Sequence, residues 1–436
     1  MVLLKNFINI FFIPELRRKV LFTLGILIIY RLGLYIPVIG VDVRGLQEMM
    51  SQSGLISGLF KYIDLFSGGM LRQCTLFALG IMPYITASIM MQMLGMTIPV
   101  LEQLLKEGEY GRQQVNQYTR YLAFVVSTVQ SVGLIFLLRN QGLILDPGLG
   151  FYALFILSLA TGSMFVLWLG EQISLFGLGN GSSMIIFAGI VANFFGYAGK
   201  TYYAVQQGSL SGLIAFVILA IFIGITASIV FLEKGERKIP VQYTRRIVGQ
   251  RVYGGQSTYI PFKINNANVM PVILAGAVIN IPMFVVAALS KYSFFAWLGE
   301  SLQYGHALNN VLQFILIIAF SFFYTAIIFD PQELAQNIKK SGGFIPGIRP
   351  GRKTAEFFNY ILTRIGLVGA IYLAALALLP SILMFFIDMP FMFSGTGLLI
   401  VVGVALETAS QIESYLIEHR YEGFLSSGRM KGRGAR

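Results

Sequence analysis

Apolar residues gather along the chain into blocks of about 20, separated by polar connections. A helix rises 1.5 Å per residue, so each block matches a hydrocarbon core roughly 30 Å thick. The pattern predicts spans at 20–38, 74–98, 119–138, 151–173, 182–199, 211–231, 269–289, 309–329, 359–380 and 394–414. One further stretch, 55–73, is too short and too glycine-rich to span. Its Leu59, Phe60, Ile63 and Phe66 nonetheless share a face at helical spacing, before Gly68-Gly69. By itself this stretch reads as an interfacial helix.

Composition turns the pattern into a fold class. Hydrophobic residues make up 56% and charged residues 12% of the chain, against about 25% charged in soluble domains. An all-α polytopic membrane protein of ten transmembrane helices is therefore expected. The first block has no small-residue cleavage pattern after it and is expected to be a retained span.

Charge gives the orientation. Lys and Arg number four before the first span, three around the second–third loop, seven at 234–263, six at 339–364 and five at 420–436. The other side has six: Arg44, Lys61, Arg72, Arg139, Lys200 and Lys291. Basic loops stay inside, so both termini are expected in the cytoplasm. The last basic residue, Arg31, lies near the outer end of the first span and is expected to snorkel to the headgroups. Met82-Pro83 and Met270-Pro271 recur 188 residues apart. Five spans followed by five have opposite topologies, which suggests two pseudo-symmetric inverted halves.

Candidate chemistry is sparse. The span interiors hold almost no ionisable group of the kind that couples ions to transport; Glu171 and Glu407 fall near cytoplasmic ends. The P-loop pattern Gly-x-x-x-x-Gly-Lys-Ser/Thr does not occur, nor does a Ser/His/Asp set or an HExxH pattern, so an enzyme is not expected. One cysteine, Cys74, and two histidines, His306 and His419, are too few for a usual metal site, and no cofactor is expected. The span polar residues are neutral: Thr86, Ser88, Gln92, Gln130 and Asn280. They suit interhelical hydrogen bonding, or a seam kept weak enough to open.

Several stretches resemble the SecY family. They are Phe66-Ser67-Gly68-Gly69, Phe77 to Ser88, Lys106-Glu107-Gly108-Glu109, Asn116 to Arg120, Gly179 to Gly189, Arg251 to Gln256, Gly342 to Gly351 and Tyr421-Glu422-Gly423. They run through the whole chain in the family's order. The resemblance implies an hourglass protein-conducting channel. Its N-terminal half would be 1–199, with plug segment 55–73. Its C-terminal half would be 200–414, with cytoplasmic loops 232–268 and 330–359, and a basic tail would follow at 415–436. The substrate would be an unfolded polypeptide. Partners would be SecE-type and SecG-type membrane subunits, the SecA motor ATPase or a ribosome, signal peptides and membrane lipids. A bacterial inner membrane is expected, although a chain encoded within an organelle fits as well. The alternative is an inverted-repeat small-solute secondary transporter.

The resemblance also implies site residues. The pore ring would be Ile81, Ile85, Ser182, Ile186, Ile273 and Ile400. Ile81/Ile85 and Ser182/Ile186 are i, i+4 pairs, each on one helix face. An apolar ring dewets and blocks ions, although Ser182 stands where the family has a bulky apolar residue. The plug residues would be Leu59, Phe60, Ile63 and Phe66, hinged at Gly68 and Gly69. The lateral gate would use Ser88, Gln92, Gln130 and Asn280. The docking surface would use Arg349, with Arg245, Arg246 and Arg251. Tyr243, Tyr253 and Tyr259 are interleaved in the first basic loop, which suits ribosomal RNA phosphates or an acidic partner.

Overall fold

The computed structural model describes residues 13–51, 55–209, 211–243, 246–248, 251–253, 257–288, 293–302, 306–383 and 395–427. A helix stands at each of the ten expected spans. Among the described residues, seven helices are long and apolar enough to cross a membrane, or eight if one bent pair counts as one span. The chain divides into two compact units: 1–196 with 404–436, and 197–403.

In the first unit, α1 (Pro14–Leu32) starts on Pro14, with Glu15 in its first turn and Arg31 in its last. That charge order suits the helix dipole. Two short helices follow, α2 (Val43–Ser51) and α3 (Leu55–Ser67). The Asp42 carboxylate accepts from the Arg44 and Gly45 N–H groups at 3.1 and 3.2 Å, capping α2. Then α4 (Met82–Thr97) meets α5 (Pro99–Lys106) at a 99° bend. Next come α6 (Glu109–Asn140), α7 (Leu149–Phe176) and α8 (Gly181–Gln206), which passes into the second unit at Tyr197. Helix α4 packs on α6, α6 on α7, and α7 on α1.

The second expected span begins late. Residues 74–81 form turns, with Cys74 at φ 44° and Gly80 at φ 54°, and the helix starts at Met82. Pro83 lies in its first turn, where a missing N–H costs nothing. A Cβ on Gly162 of α7 would collide with the Leu76 carbonyl, so this non-helical backbone is covered by protein. That is the condition for irregular chain at membrane depth.

The second unit holds α9 (Gly212–Lys234), α10 (Met270–Ala288), α11 (Ser293–Ser301), α12 (Ala307–Ile328), α13 (Pro331–Lys340) and α14 (Arg352–Leu383). Helix α15 (Gly395–Ser427) begins in this unit and ends in the first.

Between α9 and α10 the chain makes strands β1 (Glu236–Tyr243), β2 (Arg246–Val248), β3 (Arg251–Tyr253) and β4 (Ser257–Lys263). Strand β1 pairs antiparallel with β4, from Glu236↔Lys263 to Gln242↔Ser257. Its other edge pairs with β5 (Gly343–Phe344), through Gln242↔Phe344 and Tyr243↔Gly343. The two expected basic loops are thus one platform. Alternation along β1 turns Ile239 and Val241 inward. They join Phe262, Ala335, Ile338, Ile345, Phe358, Ile361 and Leu362 in a buried core. The Phe262 and Phe358 ring centroids are 5.5 Å apart.

Candidate functional site

The first unit brings Ile81 and Ser182 to one place. Ile81 caps the start of α4 and is 1% exposed; Ile85, one turn on, donates its N–H to the Ile81 carbonyl at 3.2 Å. Ser182 lies in the first turn of α8, where the Asn180 side chain accepts from its N–H at 3.1 Å. A Cβ built on Gly170 of α7 would lie 3.3 Å from Ile81 Cδ1 and 3.5 Å from the Ser182 nitrogen. Ile186, one turn further along α8, is buried. Ser182 itself is half-buried. In the second unit, Ile273 and Ile400 are both buried. A Cβ on Gly403 would lie 3.1 Å from Val269 Cγ1, setting α15 beside the start of α10. Ile400 is one turn before Gly403, and Ile273 is one turn after Val269.

The short helix α3 is folded into protein and does not lie on the surface. Phe60 and Phe66 are buried and Ile63 is half-buried; the Leu59 side chain lies outside the described residues. Gly68 and Gly69, at φ 69° and 91°, end the helix, a conformation that favours glycine. Gly68 sits against α8, where a Cβ would come within 2.6 Å of Gly189 Cα. The Asp64 carboxylate accepts from the Arg72 N–H at 3.0 Å. Burial pushes its pKa up, and the Arg72 hydrogen bond pulls it back.

Arg31 is not free to snorkel. Its Nη1 donates to the Gly68 carbonyl at 2.8 Å. A buried backbone acceptor nearby wins over the headgroup region because it offers a charge-assisted bond. The Tyr30 hydroxyl donates to the Ser67 carbonyl at 3.2 Å.

On the expected gate helices, α4 carries Ser88, half-buried, and Gln92, exposed, while α6 carries Gln130, half-buried. These two helices pack on each other. Asn280 is on α10, with its side chain outside the described residues.

On the platform, Arg349 is exposed. Gly342, Gly347 and Gly351 all have positive φ around it, and the Thr354 hydroxyl donates to the Arg349 carbonyl at 3.0 Å. Arg245 lies outside the described residues. Arg246 and Arg251 are on the β2–β3 hairpin, as Arg246↔Tyr253 and Val248↔Arg251; their side chains are not described. Lys238 Nζ sits 4.7 Å from the Tyr259 ring centroid, a cation–π contact.

Sequence reading missed a second polar cluster in the first unit. The Leu178 N–H donates to Thr23 Oγ1 at 3.0 Å, and the Gly179 N–H to Gln411 Oε1 at 2.9 Å. Leu16 and Leu178 pack with Ile412 and Leu416, and Lys19 Nζ lies 4.1 Å from the Tyr415 ring centroid. The only local signal was Gly179-Asn180-Gly181, which marks a turn but not its partners. Glu171, noted in the sequence, pairs with Arg120 at 2.7 Å.

The family model described as SecY matches residues 75–409. The chain belongs to the SecY family. It is 42% identical over 423 residues to the protein translocase subunit SecY of Aquifex aeolicus, covering 95% of this chain and 98% of that protein. It is 44% identical over 439 residues to the Streptomyces coelicolor protein of the same name, covering 97% and 100%. The SecY fold is also seen in solved structures. One described as a protein conducting channel has a TM-score of 0.64 at 20% identity, over 92% of this chain and 93% of that one. Sec61 in a canine ribosome-channel complex has a TM-score of 0.62 at 18% identity, over 92% and 93%.

Proposed function

We propose that this chain is the pore-forming subunit of a protein translocation channel. It passes unfolded secretory polypeptides across the cell membrane and releases apolar segments sideways into lipid. The observation that carries this reading is near-complete coverage of bacterial translocase subunits at 42–44% identity. The small-solute transporter reading has no such support, because the relatives are translocase subunits.

The constriction is formed by Ile81, Ile85, Ser182, Ile186, Ile273 and Ile400. Such a ring dewets at rest. It yields around a passing chain because its isoleucines offer no hydrogen bonds to hold the substrate. Ser182 is the weak point of the seal, and the Asn180 cap supports its place in the first turn of α8. Helix α3 is the plug, with Gly68-Gly69 as its hinge. The burial of Phe60 and Phe66 supports this, since an interfacial helix would turn those rings to lipid.

The gate residues are Ser88, Gln92, Gln130 and Asn280. Lateral release then sorts segments by transfer cost, with Leu, Ile and Phe favouring lipid and charged residues opposing it. The platform around Arg349 is the docking surface for a SecA-type motor or a ribosome. SecE-type and SecG-type subunits complete the channel. Both termini face the cytoplasm, supported by the excess of basic residues on that side. No P-loop occurs in the chain, so the energy comes from the docked partner.

The test is reconstitution into vesicles with a SecE-type subunit and a SecA-type motor. ATP should drive a secretory precursor into a protease-protected state. Absence of import in vesicles that hold the assembled complex would overturn the reading.

A further inference from the structure

We infer that Tyr30 and Arg31, at the end of the first span, are positioning residues that latch the plug closed. The inference rests on α3 being the plug. A helix leaves its last carbonyls without internal partners, and they carry partial negative charge. At the exit of α3 three carbonyls have donors from beyond the helix. The Asp64 carbonyl takes the Gly69 N–H at 3.1 Å. The Ser67 carbonyl takes the Tyr30 hydroxyl at 3.2 Å, and the Gly68 carbonyl takes Arg31 Nη1 at 2.8 Å. The last two donors are 37 residues away in sequence and belong to a transmembrane helix, not to the plug.

The donors are themselves held. Tyr30 is fully buried, and its ring stacks on Phe77 with centroids 6.4 Å apart and planes 6° from parallel. Gly33 leaves the room for that ring, since a Cβ there would collide with Phe77. On the far side of the turn, Gly68 meets the Gly189 backbone. The Ser67-Gly68 turn is therefore gripped between α1 and α8.

The chemistry suits a contact that must break and reform. Apolar burial of Phe60 and Phe66 gives attraction without a fixed register. Two hydrogen bonds to backbone carbonyls fix the register. When the plug leaves, water takes over both carbonyls and the Arg31 guanidinium. The latch is therefore reversible.

The experiment uses the full chain with its membrane subunits in vesicles, carrying Phe66→Cys in a Cys74→Ser background. A membrane-impermeant maleimide is applied at the outer face without motor or precursor. In the parent, position 66 should be shielded. A charged hydrogen bond is strong enough that Arg31→Met should raise the labelling rate and the resting ion leak by about tenfold or more. Tyr30→Phe, which deletes one oxygen, should raise both by about threefold. Arg31→Lys keeps a cationic donor and should restore part of the shielding. A shielded parent with unchanged labelling in Arg31→Met and Tyr30→Phe would sink the latch and leave the plug standing. A parent already labelled at rest would sink the plug reading, and the latch with it. If Arg31→Met does not accumulate, Tyr30→Phe decides, because unchanged labelling there overturns the latch.

Discussion

The exit of α3 and the platform built on β1 are held by different forces. At the exit of α3, long-range contacts are a few directed hydrogen bonds from Tyr30 and Arg31 and one glycine-to-glycine approach. Under the platform, β1 and helices α13 and α14 share a continuous apolar core. An apolar core releases its energy only when it comes apart as a whole. Directed bonds to carbonyls exchange one at a time with water. The difference suits the roles proposed above, a plug that moves and a docking surface that bears the push of a partner.

The largest test of this contrast is in the platform core. Phe358→Ala removes a fully buried ring packed on Phe262. It should cost about 3–5 kcal/mol, seen as early protease cutting between α9 and α14. Motor-driven import should fall with it, while resting ion leak stays at the parent level. A rise in leak would mean that the two regions are not independent.

Next is the hinge. Gly68→Val puts a β-branched residue at φ 69° and its Cβ against Gly189. Strain of this kind is on the order of 1–3 kcal/mol before any clash. Resting conductance should rise without loss of platform stability. Ile81→Asn should raise the leak too, by wetting the ring.

Arg349→Glu reverses one exposed charge on an intact platform. Import should drop by about tenfold, in line with a strong rim or anchor charge, while protease resistance is unchanged. Intact import would remove Arg349 from the docking surface. Smaller still is the gate: Gln92→Leu or Asn280→Leu should shift the hydrophobicity threshold for membrane insertion by about 0.5–2 kcal/mol. An unmoved threshold returns these residues to ordinary helix packing.

The smallest effect is a pH dependence at the start of α14. Hydrogen bonding from Lys353, at 2.7 Å, holds the Glu356 carboxyl below its usual range. A lowered acid stabilises the fold above its unfolded pKa, and that contribution fades as pH falls through the folded value. The group is exposed, so Glu356→Gln should change the protease-resistance midpoint only slightly, and only above the acid range. A large change would mean that the pair is shielded from solvent.

Much was legible in the sequence, for reasons that differ by feature. Block length marks where helices run, because each span must satisfy its backbone by itself in lipid. Gly68-Gly69 marked the end of α3 because positive φ is a local cost. The late start of α4 was not legible: residues 74–81 are apolar enough to extend the span, and only the Leu76 carbonyl against Gly162 shows that irregular chain there is covered. The side chain of Asn280 and the Arg245 position lie outside the described residues, so their roles rest on family resemblance.

By itself the sequence determined where the apolar helices run, the expected orientation and the family. These depend on how each segment partitions between water and lipid and on local backbone cost. Only the tertiary structure decided that loops near 240 and 343 form one sheet, or that Arg31 faces a carbonyl and not headgroups. Those outcomes depend on which distant groups share a neighbourhood, and no local preference of Arg31, Gln242 or Phe344 encodes that.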